Sequence, residues 1–265
     1  MKFRGVLKKM PTDFSEPVKY YLEMEQDIIQ LNQFIGRKLS FQFLSYQCLN
    51  CGLDKKIFRQ GFCYDCFNSS AHVGEWIIRP ELSKAHLGIE DRDLEYEKSV
   101  QLKPHIVYLA LSSNVKVGVT RKTQVPTRWI DQGASMALAI LEVPNRYLAG
   151  IAEVSLKDFL SDKTDWRKML KNEIGEADLY EVFKEIENKL PEEVKPYIVG
   201  DPDQIWTFDY PVTHFPSKLN SQNFNKSETI EGLFNGIKGQ YLYLDEAKVF
   251  NIRNSEGHVV ELEII

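Results

Sequence analysis

The chain has 265 residues, 43% hydrophobic and 27% charged, with a formal net charge of −5 and a pI near 5.7. This composition excludes a disordered or membrane-embedded polypeptide, and the length allows one large core or two to three small ones. The acidic balance excludes a uniformly basic nucleic-acid surface, yet the charge is uneven: residues 173–203 carry ten acids against three lysines, whereas residues 111–130 carry Lys116, Arg121, Lys122 and Arg128 and no acid.

The basic N-terminus lacks the apolar stretch of a secretory signal, and no apolar run approaches the roughly 18 residues of a membrane span, so a cytoplasmic protein without a membrane partner is expected. Short alternating runs predict strands at Phe3–Leu7, Val18–Met24 and Lys38–Tyr46, with a helical turn at Ile28–Phe34. Next come Cys48-Leu-Asn-Cys51 and Cys63-Tyr-Asp-Cys66, two CxxC pairs eleven residues apart. In a reducing compartment, four cysteines within 19 residues point to metal rather than disulfides. Two such pairs complete the thiolate tetrahedron of zinc and leave no open position for an activated water, so the expected ion is a structural Zn²⁺. A redox dithiol or an iron–sulfur cluster is the alternative. His72 and His86 are placed too loosely to be preferred ligands. Phe58, Phe62, Tyr64 and Phe67 around the knuckles suit a miniature core in the favoured reading and base stacking in the other.

From Pro104 onward, His105–Leu111 and Val115–Val119 read as a hairpin joined by Ser112-Ser-Asn114. A helix is predicted from Pro126 to Gln132 with Gly133 as its stop, then a buried strand at Met136–Val143, then a helix capped by Asn145 and reaching Leu160. Asp162 to Asp165 caps another helix. Ala177–Leu190 is amphipathic, closed by Pro191, and residues 191–203 read as a linker. Strands return at Ile205–Tyr210, Leu233–Phe234, Gln240–Leu244, Lys248–Ile252 and His258–Ile264, with Gly236, Gly239 and Gly257 between them.

The series Val107-Tyr108, Lys116-Val-Gly118-Val-Thr120, Arg128-Trp-Ile and Glu153 resembles the GIY-YIG nuclease superfamily over about residues 104–172. The resemblance implies that Tyr108 orients or activates the attacking water and that Gly118 keeps the site clear. Arg128 holds the scissile phosphate, and Glu153 binds a catalytic Mg²⁺ or Mn²⁺. Lys116 stands where the second motif has tyrosine, as in one branch of the superfamily, and Gln132 falls near where many members carry histidine or tyrosine. At full length the chain resembles a family known as domain of unknown function 2797, through Thr127-Arg-Trp-Ile-Asp-Gln-Gly-Ala134, Gly236-Ile-Lys-Gly-Gln-Tyr-Leu242 and Asn251-Ile-Arg253. Many members carry further cysteines in the stretch matching Ser70–Gln101; this chain has none there, so no second metal site is expected.

The expected fold class is α+β: a β-rich zinc-ribbon domain over 1–70, a connecting segment over 71–103, a GIY-YIG-like core with helices over 104–190 and a small β-rich domain over 191–265. The resemblance makes DNA or RNA the expected partner, with Arg121, Lys122, Trp129, Gln132, Lys238 and Arg253 as candidate contacts and Lys248 as a further phosphate contact. The glycine phrase around Lys238 is better explained by a tight glycine-bounded β-turn that stabilises a sheet. Two alternatives to cleavage stand: a nucleic-acid-binding protein that kept the fold, and a protein-interaction module docking through its acidic helix at Asp178–Glu187.

Overall fold

The computed structural model describes residues 1–160 and 165–265. In chain order it contains strands β1 (Lys2–Val6), β2 (Thr12–Asp13), β3 (Lys19–Glu23), β4 (Ile28–Gln30), β5 (Lys38–Tyr46), β6 (Ile57–Arg59) and β7 (Phe62–Cys63), followed by helix α1 (Tyr64–Ser69). Helix α2 (Leu94–Gln101) precedes β8 (His105–Leu111), β9 (Val115–Arg121), α3 (Thr127–Asp131), β10 (Met136–Val143) and α4 (Arg146–Lys157). Then come α5 (Trp166–Leu170), α6 (Leu179–Ile186), β11 (Trp206–Thr207), β12 (Asn220–Gln222), β13 (Thr229–Lys238), β14 (Tyr241–Leu244), β15 (Lys248–Asn251) and β16 (His258–Ile264). The chain is α+β and divides into two compact units, Met1–Ser69 with Phe208–Ile265, and Ser70–Thr207.

In the first unit the β-rich stretches at the two ends of the sequence share one seven-stranded sheet of order β1-β16-β5-β13-β14-β15-β12. Every pairing in it is antiparallel except β12 with β15. Strand β5 lies between β16 and β13, with Phe41 opposite Leu262 on one side and Ile230 on the other. The period-two alternation of Lys38-Leu-Ser-Phe buries Leu39 and Phe41 on one face, and each such side chain contributes about 1.5–3 kcal/mol by leaving water. A bulge on β13 brings Gly236, at φ +144°, against the Pro211 carbonyl, where an added Cβ would lie 2.2 Å from the oxygen. This close approach explains the glycine-rich phrase without a ligand. Residues expected as one helical turn, 28–34, instead make β4 and a single 3₁₀ turn at Leu31–Phe34, because Ile29 and Leu31 are both buried beside Tyr20 and Leu22 of β3.

The second unit is built on the antiparallel sheet β11-β10-β8-β9. Strand β8 is buried at every residue. Val107, Leu109 and Leu111 of β8 and Val117 of β9 form a core with Ala149, Ala152 and Leu156 of α4 and with Leu179, Phe183 and Ile186 of α6. The residues alternating with them, Tyr108 and Ala110 opposite Gly118 and Lys116, share the other face. Asn145 caps α4 by accepting from Leu148 N at 3.0 Å, and Asp165 caps α5; the expected cap at Asp162 lies outside the described residues. The segment expected as a long loop, 191–203, is tied to β10 through Leu141 and Ile198 and through Val199 N to Ile140 O. Of the strand expected at Ile205–Tyr210, Trp206–Thr207 pairs with β10.

Residues 71–103, expected to connect, belong to this unit as four one-turn 3₁₀ helices and α2. One turn, Pro80–Leu82, is pressed against α4 at Gly150, where a Cβ would lie 2.2 Å from Glu81 N.

Candidate functional site

The hairpin of β6 and β7 turns on Gln60 and Gly61, both at positive φ as a two-residue primed turn requires, and it brings Cys63 back toward the knuckle that follows β5. That first knuckle, Cys48 to Cys51, is closed by Gly52 N donating to Cys48 O at 2.9 Å. As a result the sulfurs of Cys48, Cys51, Cys63 and Cys66 all lie within 4.8 Å of one another. Cys63 N donates to Cys48 Sγ at 3.3 Å and Asn50 Nδ2 to Cys66 Sγ at 3.4 Å, the outer-shell contacts of a thiolate metal site. Burial opposes ionisation of Cys48, yet the backbone N–H groups of Cys51, Cys63 and Asn50 outweigh it and hold the thiol down at about 6. At Cys66 the Asn50 amide favours the thiolate, but burial and the other three sulfurs push it up to about 12. Four thiolates this close need a cation, so the cluster is positioned to bind one metal ion, and its all-sulfur ligand set suits structural zinc. Ile57 and Phe62 pack on the cysteines. Phe58 and Tyr64, favoured from the sequence as miniature core, instead stand 46% and 62% exposed.

The second constellation forms across β8 and β9. Tyr108 sits opposite Gly118, and a Cβ on Gly118 would lie 2.7 Å from both Cζ and Oη of the phenol, so the absent side chain is what admits the ring. The hydroxyl donates to Gln132 Oε1 at 2.9 Å, and the ring meets Trp129 edge-to-face at 5.6 Å. Burial is the main cause that raises the Tyr108 pKa; the Arg128 guanidinium opposes it and Glu153 adds to it. Lys116 is buried, and burial together with Arg128 brings its ammonium down to about 8 against the pull of Glu153. Burial raises the Glu153 pKa, opposed by Lys157 and Arg146 and reinforced by Glu81. Tyr108, Lys116, Arg128 and Glu153 therefore share one electrostatic environment, with Gln132 as the tyrosine's partner.

Other expected contacts are placed differently. Trp129 is fully buried and stacks edge-to-face on Trp206 at 5.7 Å, so its indole is core and not a base platform. Lys238 is also fully buried, its ammonium 5.3 Å from the Tyr210 ring and 5.5 Å from Phe215, which removes it from phosphate contact. Lys248 is engaged by Asp245 at 2.9 Å. Arg253 is exposed, Arg121 half-buried, and Lys122 exposed but paired with Glu142 at 2.7 Å. His72 bonds the Tyr96 hydroxyl and His86 stacks on Tyr147, consistent with neither being a metal ligand.

Two residues beside Glu153 escaped the sequence reading. Arg146, buried at the start of α4, donates Nε to Trp76 O at 2.9 Å and Nη2 to Ile77 O at 2.8 Å, which fastens the 3₁₀ segment to the helix. Glu81 follows on that segment, with Oε1 on Arg79 at 3.2 Å and a buried Oε2 that has no hydrogen-bond partner. The available signal was Gly150, a helix-interior glycine that costs about 1 kcal/mol in propensity and so implies a close approach.

The fold and site define an α+β protein with a four-cysteine metal-binding module. The chain belongs to the family described as protein of unknown function (DUF2797), which it matches over residues 36–260. No curated protein and no solved structure matches it. Among the described residues no helix is long and apolar enough to cross a membrane.

Proposed function

We propose that this chain is a cytoplasmic, metal-dependent phosphodiesterase acting on DNA or RNA, with a GIY-YIG-type core and a structural Zn²⁺ ion in the cysteine cluster. The observation that supports this most is the seating of the Tyr108 ring on Gly118 beside Lys116, Arg128 and Glu153. Phosphoryl transfer needs donors aimed at charge that builds on the phosphoryl oxygens, and a permanently charged guanidinium in a desolvated site supplies them without reorganising. In this reading Arg128 holds the scissile phosphate and Lys116 adds a second positive charge. Glu153 would hold a Mg²⁺ or Mn²⁺ ion, which when bound supplies Lewis-acid stabilisation of a phosphoryl oxygen. The residues suit that ion: Glu153 is largely buried, Glu81 repels it, and the orphaned Glu81 oxygen lacks a donor, so a cation would relieve both. Tyr108 keeps its proton through burial and orients the site through its hydrogen bond to Gln132; it does not act as a phenolate.

A second reading, a nucleic-acid-binding protein without cleavage, draws on that same buried and already committed hydroxyl. The test offers end-labelled single-stranded, duplex and branched DNA and RNA to purified protein with Mg²⁺, Mn²⁺ or excess chelator. Cleavage that requires the divalent ion supports the phosphodiesterase. Retention of substrate with no product under any ion supports the binding protein.

A further inference from the structure

The outward face of the cysteine module carries side chains that the core does not use. Phe58 meets Tyr64 at 5.3 Å and Phe67 at 5.2 Å, both edge-to-face, and the first two rings are among the most exposed aromatics of the chain. Rings needed to shield the metal would pack on the cysteines, a place taken by Ile57 and Phe62. Cations flank the trio. The Arg59 guanidinium lies 5.3 Å from the Phe58 ring centre, and Lys55 is engaged by Asp65 at 2.8 Å. Lys56 and Arg59 are exposed, and neither forms an ion pair among the described residues.

We infer that this face docks single-stranded nucleic acid. Exposed aromatic rings beside cations that form no ion pair among the described residues complement a polymer of flat bases on an anionic backbone. Phe58 and Tyr64 stack on bases whatever their identity, and Lys56 and Arg59 contact the flanking phosphates. A duplex hides its base faces and fits less well. The inference shares with the phosphodiesterase reading only the class of ligand, because its residues lie outside the Tyr108–Glu153 constellation.

The experiment measures binding of a fluorescent mixed-sequence single strand, DNA and RNA in parallel, by anisotropy on the full chain carrying Glu153→Ala, so that binding is read apart from cleavage. Each aromatic ring is expected to account for at least about fivefold in affinity, so Phe58→Ala/Tyr64→Ala binds at least about 25-fold more weakly. Phe58→Leu/Tyr64→Leu, which keeps apolar bulk and loses the π faces, shows a similar loss. Lys56→Glu/Arg59→Glu weakens binding and flattens its salt dependence by about 1.4 in log–log slope. An abasic strand of equal charge is insensitive to the ring substitutions. Unchanged metal content and melting temperature certify each variant. The inference is overturned if ring variants bind like the parent, if abasic and normal strands lose affinity equally, if no strand binds, or if sedimentation shows the rings covered by a second copy of the chain. Ion-dependent cleavage of duplex or branched substrates is compatible with each of these outcomes, so the two readings fail separately.

Discussion

Replacing Gly118 by alanine gives opposite signs depending on whether the Tyr108 ring fills the space above it. An ordinary strand glycine with compatible backbone gains roughly 0.4–1 kcal/mol on substitution by alanine, because the unfolded chain loses freedom. Here the new Cβ would lie 2.7 Å from Cζ and Oη of a fully buried ring that is held by Gln132 and Trp129. The ring has to shift, which costs about 1–3 kcal/mol in overpacking and about 1 kcal/mol more if the bond to Gln132 is lost. The expected net destabilisation is about 2 kcal/mol, close to 8 °C in Tm for a unit of this size. Thermal and urea unfolding of Gly118→Ala, Tyr108→Ala and the double variant measure it, and in the double variant the glycine substitution should cost almost nothing. A single Gly118→Ala variant as stable as the parent, or costs that simply add, would refute the proposed fit between glycine and ring.

Gly150→Ala should likewise destabilise by at least about 1 kcal/mol, although alanine is the better helix former, because the new methyl meets the backbone of Pro80 and Glu81; a rise in Tm contradicts this contact. Burial pushes Lys238 down to about 8, so the folded state binds fewer protons than the unfolded state between that value and the ordinary 10.5. Its contribution to stability therefore rises from about pH 8 to 10.5 and is at its most unfavourable below pH 8. Lys238→Met should show a smaller rise in stability from pH 7 to pH 10 than the parent, as measured by urea denaturation at the two pH values, and an equal rise in both proteins contradicts the buried ammonium. Metal analysis should find one zinc per chain, and Cys66→Ser or a strong chelator should release it with loss of the near-UV aromatic signal; protein that keeps this signal without metal would contradict a structural ion.

The sequence was most informative where one periodicity or spacing dominates. Strand bounds such as Lys38–Tyr46, Met136–Val143 and His258–Ile264 follow from alternating or continuous burial, and the paired CxxC spacing foretold the sulfur cluster because a local knuckle fixes each pair. The pairing of β5 with β16 was hidden because partners more than 200 residues apart leave no local trace. The constellation was partly legible: Tyr108 and Gly118 meet because they are cross-strand partners, which the hairpin register dictates. Arg146 and Glu81 were not legible, since their neighbourhood depends on a 3₁₀ segment packing on α4. Phe58 and Tyr64 misled in the other direction. Hydrophobic residue type argued for core, whereas a module this small needed only Ile57 and Phe62 to cover its sulfurs.

The phosphodiesterase account is tested most directly by single-turnover cleavage with Mn²⁺ or Mg²⁺, comparing the parent with Arg128→Ala and Glu153→Ala variants whose zinc content and Tm are unchanged. Loss of a positioned transition-state donor ordinarily costs about 10²–10³ in rate, so each variant should fall by at least about a hundredfold while single-strand binding persists. Equal cleavage rates in all three proteins, or no ion-dependent product from the parent on any of the DNA and RNA substrates, would contradict it.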